Sequence, residues 1–495
     1  MSIATIHADR TAPSLRGLLP IWVAVAIYAL FVLAGNRLLI DPDTLWQITV
    51  GQWIVEHRSV PTEDVYSFTM RGQPWISTQW LAQVMYAEAY AFSGWAGPVV
   101  LAAIAIAATF GLLAGFVSRR LSNSATLVCV AAALALTVPH LLARPHVLAL
   151  PFLVAWAAGL IDAADRGEAP SWWLLPLMTL WANLHGGFVF GLALTGGLAL
   201  DALSNVDGPA RKQLFLRWFA FGVAALAAGC ITPYGWDALL ASQKILSLSS
   251  ALPLIMEWRP QDFGSIGPFE VCLLIGIALA LYHGVKLPIM RIVLLLGLVH
   301  MALAQGRAAE ILALVGPLLL AAPLARQAGQ TDARVAAQPI PKATIAGLVV
   351  LLAVGTVVYA SMYRFEPHRR HSPVAAVVEL KKLNLARVFN DYDFGGYLIA
   401  NGVAPYIDGR TEFYGEKFFV EHNAAVGLTE PDNLFRLLEQ YEIEATLLRS
   451  DRPAAKLLDR AEGWQRIYSD DIATIHLRKK GEMHQAHPSL STKVN

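Results

Sequence analysis

Hydrophobic positions gather into runs long enough, or nearly so, to cross a bilayer at residues 17–36, 97–117, 124–140, 145–163, 171–184, 187–204, 217–232, 268–284, 290–304, 308–325 and 343–361. They predict a polytopic α-helical membrane protein with about eleven transmembrane helices. Several runs are shorter than the ~20 residues that a crossing helix needs, so 171–184 and 187–204 are expected to be tilted, broken or partly re-entrant. From Thr78 through Tyr86 and onward the chain carries apolar and aromatic side chains at helical spacing together with Gln79, Gln83 and Glu88, the pattern of an interfacial helix.

After Tyr363 the hydropathy falls and the periodicity becomes that of a small soluble α/β domain. Helices are expected over Ser372–Leu383, Pro431–Tyr441 and Ala454–Ala461. Strands are expected at Ala386–Phe389, Ala404–Ile407, Ala445–Leu448, Gln465–Tyr468 and Ala473–Leu477. The domain division is therefore 1–361 for the membrane part, with a first extracytoplasmic loop at 36–96, then 362–480 for an α/β domain and 481–495 for a polar, disordered tail. No internal repeat suggests a solenoid or a duplicated transporter.

Composition agrees with this pattern: of 495 residues, 56% are hydrophobic and 15% charged, too apolar for a soluble protein of this size. The formal net charge of +1 and the lack of a basic stripe exclude nucleic acid as a partner. Cys129, Cys230 and Cys272 fall inside apolar runs without metal-ligand spacing and read as small buried hydrophobes. The run after Arg16 is too long for a signal-peptide core and reads as a retained first helix. Arg119, Arg120, Arg166, Arg211, Lys212, Arg217, Lys286, Arg291, Arg326, Arg334 and Lys342 share one side if the spans alternate. That side is the cytoplasm by the positive-inside rule, so the N-terminus is cytoplasmic and 362–495 is extracytoplasmic.

The same alternation puts Asp41 and Asp43, His140, Arg144 and His146, Asn183 and His185, Glu257, Arg259 and Asp262, and Arg307 and Glu310 at the outer ends of different spans. A lone His or Arg at a helix end is usually an interfacial anchor. Five groups on one face instead describe an outward polar cavity. Arg144, Arg259 and Arg307 suit the phosphate of a lipid-linked donor, because guanidinium binds phosphate oxygens bidentately and keeps its charge. His146, Asn183, His185 and Glu257 suit positioning of donor or acceptor. Asp41 or Asp43 can act as general base on an acceptor hydroxyl, or the pair can ligate a divalent cation such as Mg or Mn; both uses stay open. Gly186 and Gly187 allow a chain break that aims Asn183 and His185 inward. In the outer domain Asp408, Arg410 and Tyr414 are the acceptor candidates, although Asp-Gly and Gly-Gly favour turns whatever their role.

The block Asp41-Pro42-Asp43-Thr44-Leu45-Trp46, Gly51-Gln52-Trp53-Ile54, Pro61-Thr62-Glu63-Asp64, Tyr66-Ser67-Phe68-Thr69, Gly72-Gln73-Pro74-Trp75 and Gln79-Trp80-Leu81 looks like the first loop of a mostly uncharacterised group of bacterial multi-pass proteins. Arg144-Pro145-His146, Trp181 to Gly187, Pro233-Tyr234-Gly235-Trp236, Glu257-Trp258-Arg259-Pro260, Gly395-Gly396-Tyr397-Leu398 and Asp408-Gly409-Arg410 extend the match along nearly the whole chain. More distantly the layout resembles the GT-C class of membrane glycosyltransferases. That resemblance implies a polyprenyl-phosphate-linked sugar donor, a glycan, lipid or protein acceptor, a first-loop catalytic acid at Asp41 or Asp43, and a place in the bacterial inner membrane among its lipids. The chain departs from the better-studied branches in having Gly72-Gln73-Pro74-Trp75 in place of a double proline. A different reading of the same cavity is a non-catalytic component of polysaccharide assembly or export that binds lipid-linked glycan unchanged.

Overall fold

The computed structural model describes residues 15–244, 252–329 and 342–479 and divides into two compact units. The first comprises 1–41, 50–60 and 76–367; the second comprises 42–49, 61–75 and 368–495. The disordered-tail expectation for 481–495 lies outside the described residues.

In the first unit each apolar run forms a helix. In chain order these are α1 (Leu15–Leu33), α4 (Ala96–Ser118), α5 (Asn123–Thr137), α6 (Pro145–Arg166), α7 (Leu175–Leu184), α8 (Phe188–Ser204), α9 (Pro209–Gly229), α11 (Pro268–Tyr282), α12 (Ile289–Ala304), α13 (Ala308–Gln327) and α14 (Lys342–Met362). α2 (Asp43–His57), α3 (Trp80–Ser93) and α10 (Trp236–Lys244) complete its helices, with the first residues of α2 counted in the second unit. Among the described residues, five helical stretches are long and apolar enough to cross a membrane: Ala96–Ser118, Asn123–His140, Pro145–Arg166, Ala308–Gln327 and Lys342–Met362. The apolar stretches Leu18–Leu33, Phe188–Ser204, Pro268–Tyr282 and Ile289–Ala304 are shorter, and α9 is 21 residues long but carries Arg211, Lys212 and Arg217. α7 has only ten residues and stops at His185, and α8 begins after Gly187, so the expected break is present.

α14 buries none of its apolar window, exposing Val349, Val350, Leu351, Val354 and Val357. A contiguous valine and leucine surface of this kind is costly in water and natural in lipid. The interior of the unit is packed by small residues. On α4, Ala102, Ala103 and Ala114 are fully enclosed, which lets neighbouring helices approach closely.

The second unit holds a four-stranded sheet in the order β1 (Val388–Asn390), β2 (Ala445–Arg449), β4 (Ala473–Arg478), β3 (Trp464–Ser469). β1 and β2 are parallel and the remaining pairs antiparallel. α15 (Val374–Leu383) packs Ala376, Val377 and Leu380 onto Val388, Leu447 and Ile475 of the sheet. The strand expected at Ala404–Ile407 does not form beyond a single bridge from Val388 to Pro405. Pro405 has no N–H for a ladder. The Asn390 side chain takes the next places, accepting from Tyr406 N at 2.7 Å and donating to Ile407 O at 2.8 Å.

The first-loop residues of this unit form a small hairpin. Asp64 N donates to Gln73 O, Trp75 N donates to Thr62 O, and Glu63 bridges Pro74. Thr69 Oγ1 donates to Tyr406 O at 2.7 Å, so the hairpin satisfies backbone that the absent strand leaves open. Two glycines set the fit of Pro42–Thr49. A Cβ on Gly396 would sit 2.5 Å from Pro42 O, and one on Gly409 would sit 1.9 Å from Asp43 Oδ1. The sequence reads both as turn residues; close approach is what requires them.

Candidate functional site

In the first unit, charges from four separate segments form one chain. The turn before α2 supplies Asp41, the residue capping α6 supplies Arg144, the loop after α10 supplies Glu257, and the residue before α13 supplies Arg307. Arg144 Nε lies 2.9 Å from Asp41 Oδ2, Arg144 Nη1 2.8 Å from Glu257 Oε2, and Arg307 Nη1 2.9 Å from Glu257 Oε1. Local backbone fixes these positions: Tyr86 Oη donates to Arg144 O at 3.0 Å, and Arg307 N donates to Glu257 O at 2.8 Å. Burial alone would raise the Glu257 carboxyl, but the Arg144 and Arg307 guanidiniums outweigh it and hold Glu257 down to about 2. Arg307 also lies 5.6 Å from the Trp258 ring.

Two enclosed side chains beside this chain keep unused polar atoms. His146 is 6% exposed, and its Nε2 meets His140 O at 2.9 Å while Nδ1 has no partner. Glu310, one turn after Arg307 on α13, is 4% exposed with Oε1 unpartnered. The His146 and His185 rings are 6.1 Å apart. Buried polar atoms without partners are uncommon and mark a place where a ligand or ordered water completes the network.

Not all the expected site residues join this group. Asn183 is committed to the fold: it accepts from Trp80 Nε1 at 2.8 Å and donates to Thr179 O and Ile231 O at 2.7 and 2.8 Å. Arg259 is exposed, with Nε donating to Pro253 O at 2.8 Å. Asp43 belongs to the second unit, where it opens α2 and accepts from Trp46 Nε1 at 3.1 Å. Asp41 and Asp43 therefore divide between the units. Among the described residues, no three His, Cys, Asp or Glu side chains could together hold a metal ion. Asp41 already faces a guanidinium, a poor donor set for Mg or Mn.

In the second unit Asp408, Arg410 and Tyr414 come together, but in the interior. Asp408 and Arg410 are fully buried and Tyr414 is 5% exposed, so none offers a surface to an acceptor. Arg410 Nε and Nη2 grip Asp408 at 2.8 and 2.6 Å, and Nη1 meets Asp64 Oδ1 at 2.6 Å. Tyr414 Oη donates to Asp408 Oδ2 at 2.7 Å, while Trp75 and Phe413 lie 4.7 and 5.1 Å from the guanidinium. The arrangement is a structural clasp joining the loop residue Asp64 to the Asp-Gly-Arg turn. Burial would cost Arg410 its charge; Asp408 and Asp64 more than offset this and keep it protonated.

Next to the clasp, burial lifts the half-buried Glu412 carboxyl to about 7, and the nearby Asp43 and Asp408 charges contribute. Its folded pKa lies above the ordinary 4.5, so the folded unit binds the proton more tightly. The stabilisation is complete below about pH 4.5 and lost as pH rises through 7. Glu412→Gln is expected to flatten this dependence, making the variant relatively more stable by about 2 kcal/mol at pH 8. Proteolysis of the full-length protein across pH 5–8 measures it; parallel wild-type and variant profiles would refute the assignment.

A second charge cluster, at the far end of the first unit, escaped the sequence reading. Arg291, expected to be a loop charge, is 2% exposed and donates through Nε to Asp201 at 3.0 Å, through Nη2 to Asp165 at 2.5 Å and through Nη1 to Leu319 O at 3.1 Å. Arg120 pairs with Asp162 nearby. The signal was present as Asp162 and Asp201 inside otherwise apolar runs, with Asp165 just past the end of the first.

No protein-family model and no curated protein sequence matches the chain. Solved structures do. An archaeal oligosaccharyltransferase, AglB from Archaeoglobus fulgidus, in complex with an inhibitory peptide and a dolichol-phosphate, aligns at a TM-score of 0.52 and 10% identity. The alignment covers 88% of this chain and 69% of that one. ArnT from Cupriavidus metallidurans, bound to undecaprenyl phosphate, aligns at a TM-score of 0.34 and 11% identity over 92% and 97% of the two chains. Taken with the membrane-length helices, the AglB alignment shows a helical membrane protein with a GT-C-like fold.

Proposed function

We propose that the protein is a membrane glycosyltransferase that takes a sugar from a polyprenyl-phosphate-linked donor and passes it to an extracytoplasmic glycan, lipid or protein. The observation that carries this reading is the Asp41–Arg144–Glu257–Arg307 chain, with its two guanidiniums beside the unpartnered atoms of His146 and Glu310. Arg144 and Arg307 hold the donor phosphate, and His146 and His185 orient the donor or acceptor. The dolichol-phosphate in the AglB structure makes a polyprenyl phosphate the first ligand to try.

The catalytic acid is Asp41 or Asp43. Asp41 is the one paired with Arg144, and its carboxylate would take the acceptor hydroxyl proton as that oxygen attacks the anomeric carbon and the lipid phosphate leaves.

Release of lipid phosphate from a polyprenyl-phosphate sugar by the purified protein tests the reading. Asp41→Asn is expected to lower turnover by about 10²–10⁴-fold, the range for losing a general base, with Asp43→Asn made in parallel to decide between the two. If both variants, made at normal abundance, turn over like wild type, the catalytic assignment falls. A second reading is a protein that binds lipid-linked glycan unchanged. Binding without turnover by the wild type would select it.

A further inference from the structure

Resting on that reading, the geometry points to a further role for Glu257: we propose that its carboxylate occupies the donor phosphate's place between Arg144 and Arg307 and must swing off both guanidiniums for the phosphate to bind. Its two oxygens reach different arginines, Oε2 to Arg144 at 2.8 Å and Oε1 to Arg307 at 2.9 Å. An O–C–O group spanning two guanidiniums presents the same pair of acceptors as an O–P–O edge of a phosphate.

Charge makes the exchange necessary. Two guanidiniums face two carboxylates, Asp41 and Glu257, so the group is already neutral. Adding a phosphate would leave the cluster negative and force anions together in a poorly solvated place. One carboxylate has to leave. Asp41 has a side chain 5% exposed, whereas the Glu257 side chain is 21% exposed and can reach water.

The movement required is small. The backbone around Glu257 is pinned to the turn between α12 and α13, with Arg307 N donating to Glu257 O, Gly306 N to Arg259 O and Gln261 N to Leu303 O. The loop therefore stays in place and the side chain alone rotates. The unpartnered Nδ1 of His146 and Oε1 of Glu310 then have a phosphate oxygen, or a phosphate hydroxyl, to meet.

A ligand that must first displace an internal competitor binds more weakly by the fraction of molecules in which the site is free. Glu257→Gln keeps the shape and removes the charge. In detergent micelles, the full-length variant is expected to bind polyprenyl monophosphate about tenfold or more tightly than wild type. The unliganded variant loses thermal stability, because its arginines repel, and polyprenyl monophosphate raises its Tm more than it raises that of wild type. Damage to the fold produces no such gain. Glu257→Ala provides a second test should the glutamine variant fail to fold. Inorganic phosphate and the parent polyprenol form the other arms. A gain seen equally with inorganic phosphate supports the exchange while assigning the anion to a free phosphate. If wild-type binding depends on Arg144 and Arg307 but neither Glu257 variant binds more tightly, the exchange is overturned and the proposed function stands. If wild type shows no binding that depends on these arginines, the proposed function fails, and the exchange fails with it.

Discussion

Arg410→Met is expected to leave the second unit largely unfolded or open to protease at physiological temperature. Arg410 is fully buried and is the cation shared by Asp408 and Asp64, both also fully buried. Methionine fills much of the same volume but strands two carboxylates in a site lined by Trp75, Tyr66 and Phe413. Breaking a buried pair by removing one partner costs about 3–5 kcal/mol, against a total of roughly 5–15 kcal/mol for a domain. The loss falls unevenly. Asp64 retains donors in Tyr66 N, Ser67 N and Ser67 Oγ, whereas Asp408 keeps the Tyr414 hydroxyl and the backbone N–H of residue 410. Adding Asp408→Asn to the methionine variant should therefore recover more stability than adding Asp64→Asn. Lysine at 410 is expected to fall between methionine and wild type, because a point charge cannot grip Asp408 with two nitrogens while reaching Asp64. Limited proteolysis of the full-length protein in detergent measures all four. A methionine variant as resistant as wild type would show that the clasp contributes nothing.

The clasp also marks where reading the sequence reaches its limit. Apolar runs and the Gly-Gly break give every apolar helix of the first unit, because each depends on residues close in the chain, whereas the 15-residue α2 lies in what reads as loop and is missed. The strands at 388–390, 445–449, 464–469 and 473–478 are legible in the same way. The strand expected at 404–407 is not formed, because a side chain from residue 390 takes its backbone groups. Likewise 42–49 and 61–75 look like a loop of the membrane part, yet their hydrogen bonds place them with residues 368–479. Contacts across more than 300 residues leave no periodic trace. At the candidate site the sequence finds Asp41, Arg144, Glu257 and Arg307 as outer-end charges, but not that Glu257 bridges the arginines. It also groups Asn183 with them, although its amide is fully used in holding helices together.

Arg291→Met is the counterpart in the first unit, and its expected effect is of similar size. α6 runs from the Arg144 end of the unit to Asp165, about 30 Å away at 1.5 Å per residue, which matches the apolar thickness of a bilayer. Arg291 thus ties three helices at the end opposite the candidate site: Asp165 on α6, Asp201 on α8 and, through the Leu319 carbonyl, α13. Methionine would leave Asp201, fully buried and with Oδ1 already unpartnered, as an isolated charge among apolar helices. The expected cost is again about 3–5 kcal/mol, seen as a lower Tm in detergent and lower yield from membranes. Asp165 keeps two further arginines, Arg120 and Arg326, each at 4.0 Å. Among the described residues Asp201 has no such second cation. The Asp201→Asn change should therefore rescue the methionine variant and Asp165→Asn should rescue it much less. Equal rescue by the two would mean that Arg291 serves both carboxylates alike. No loss at all in Arg291→Met would mean that the positive residues at this end matter only for orientation, as short-loop arginines ordinarily do.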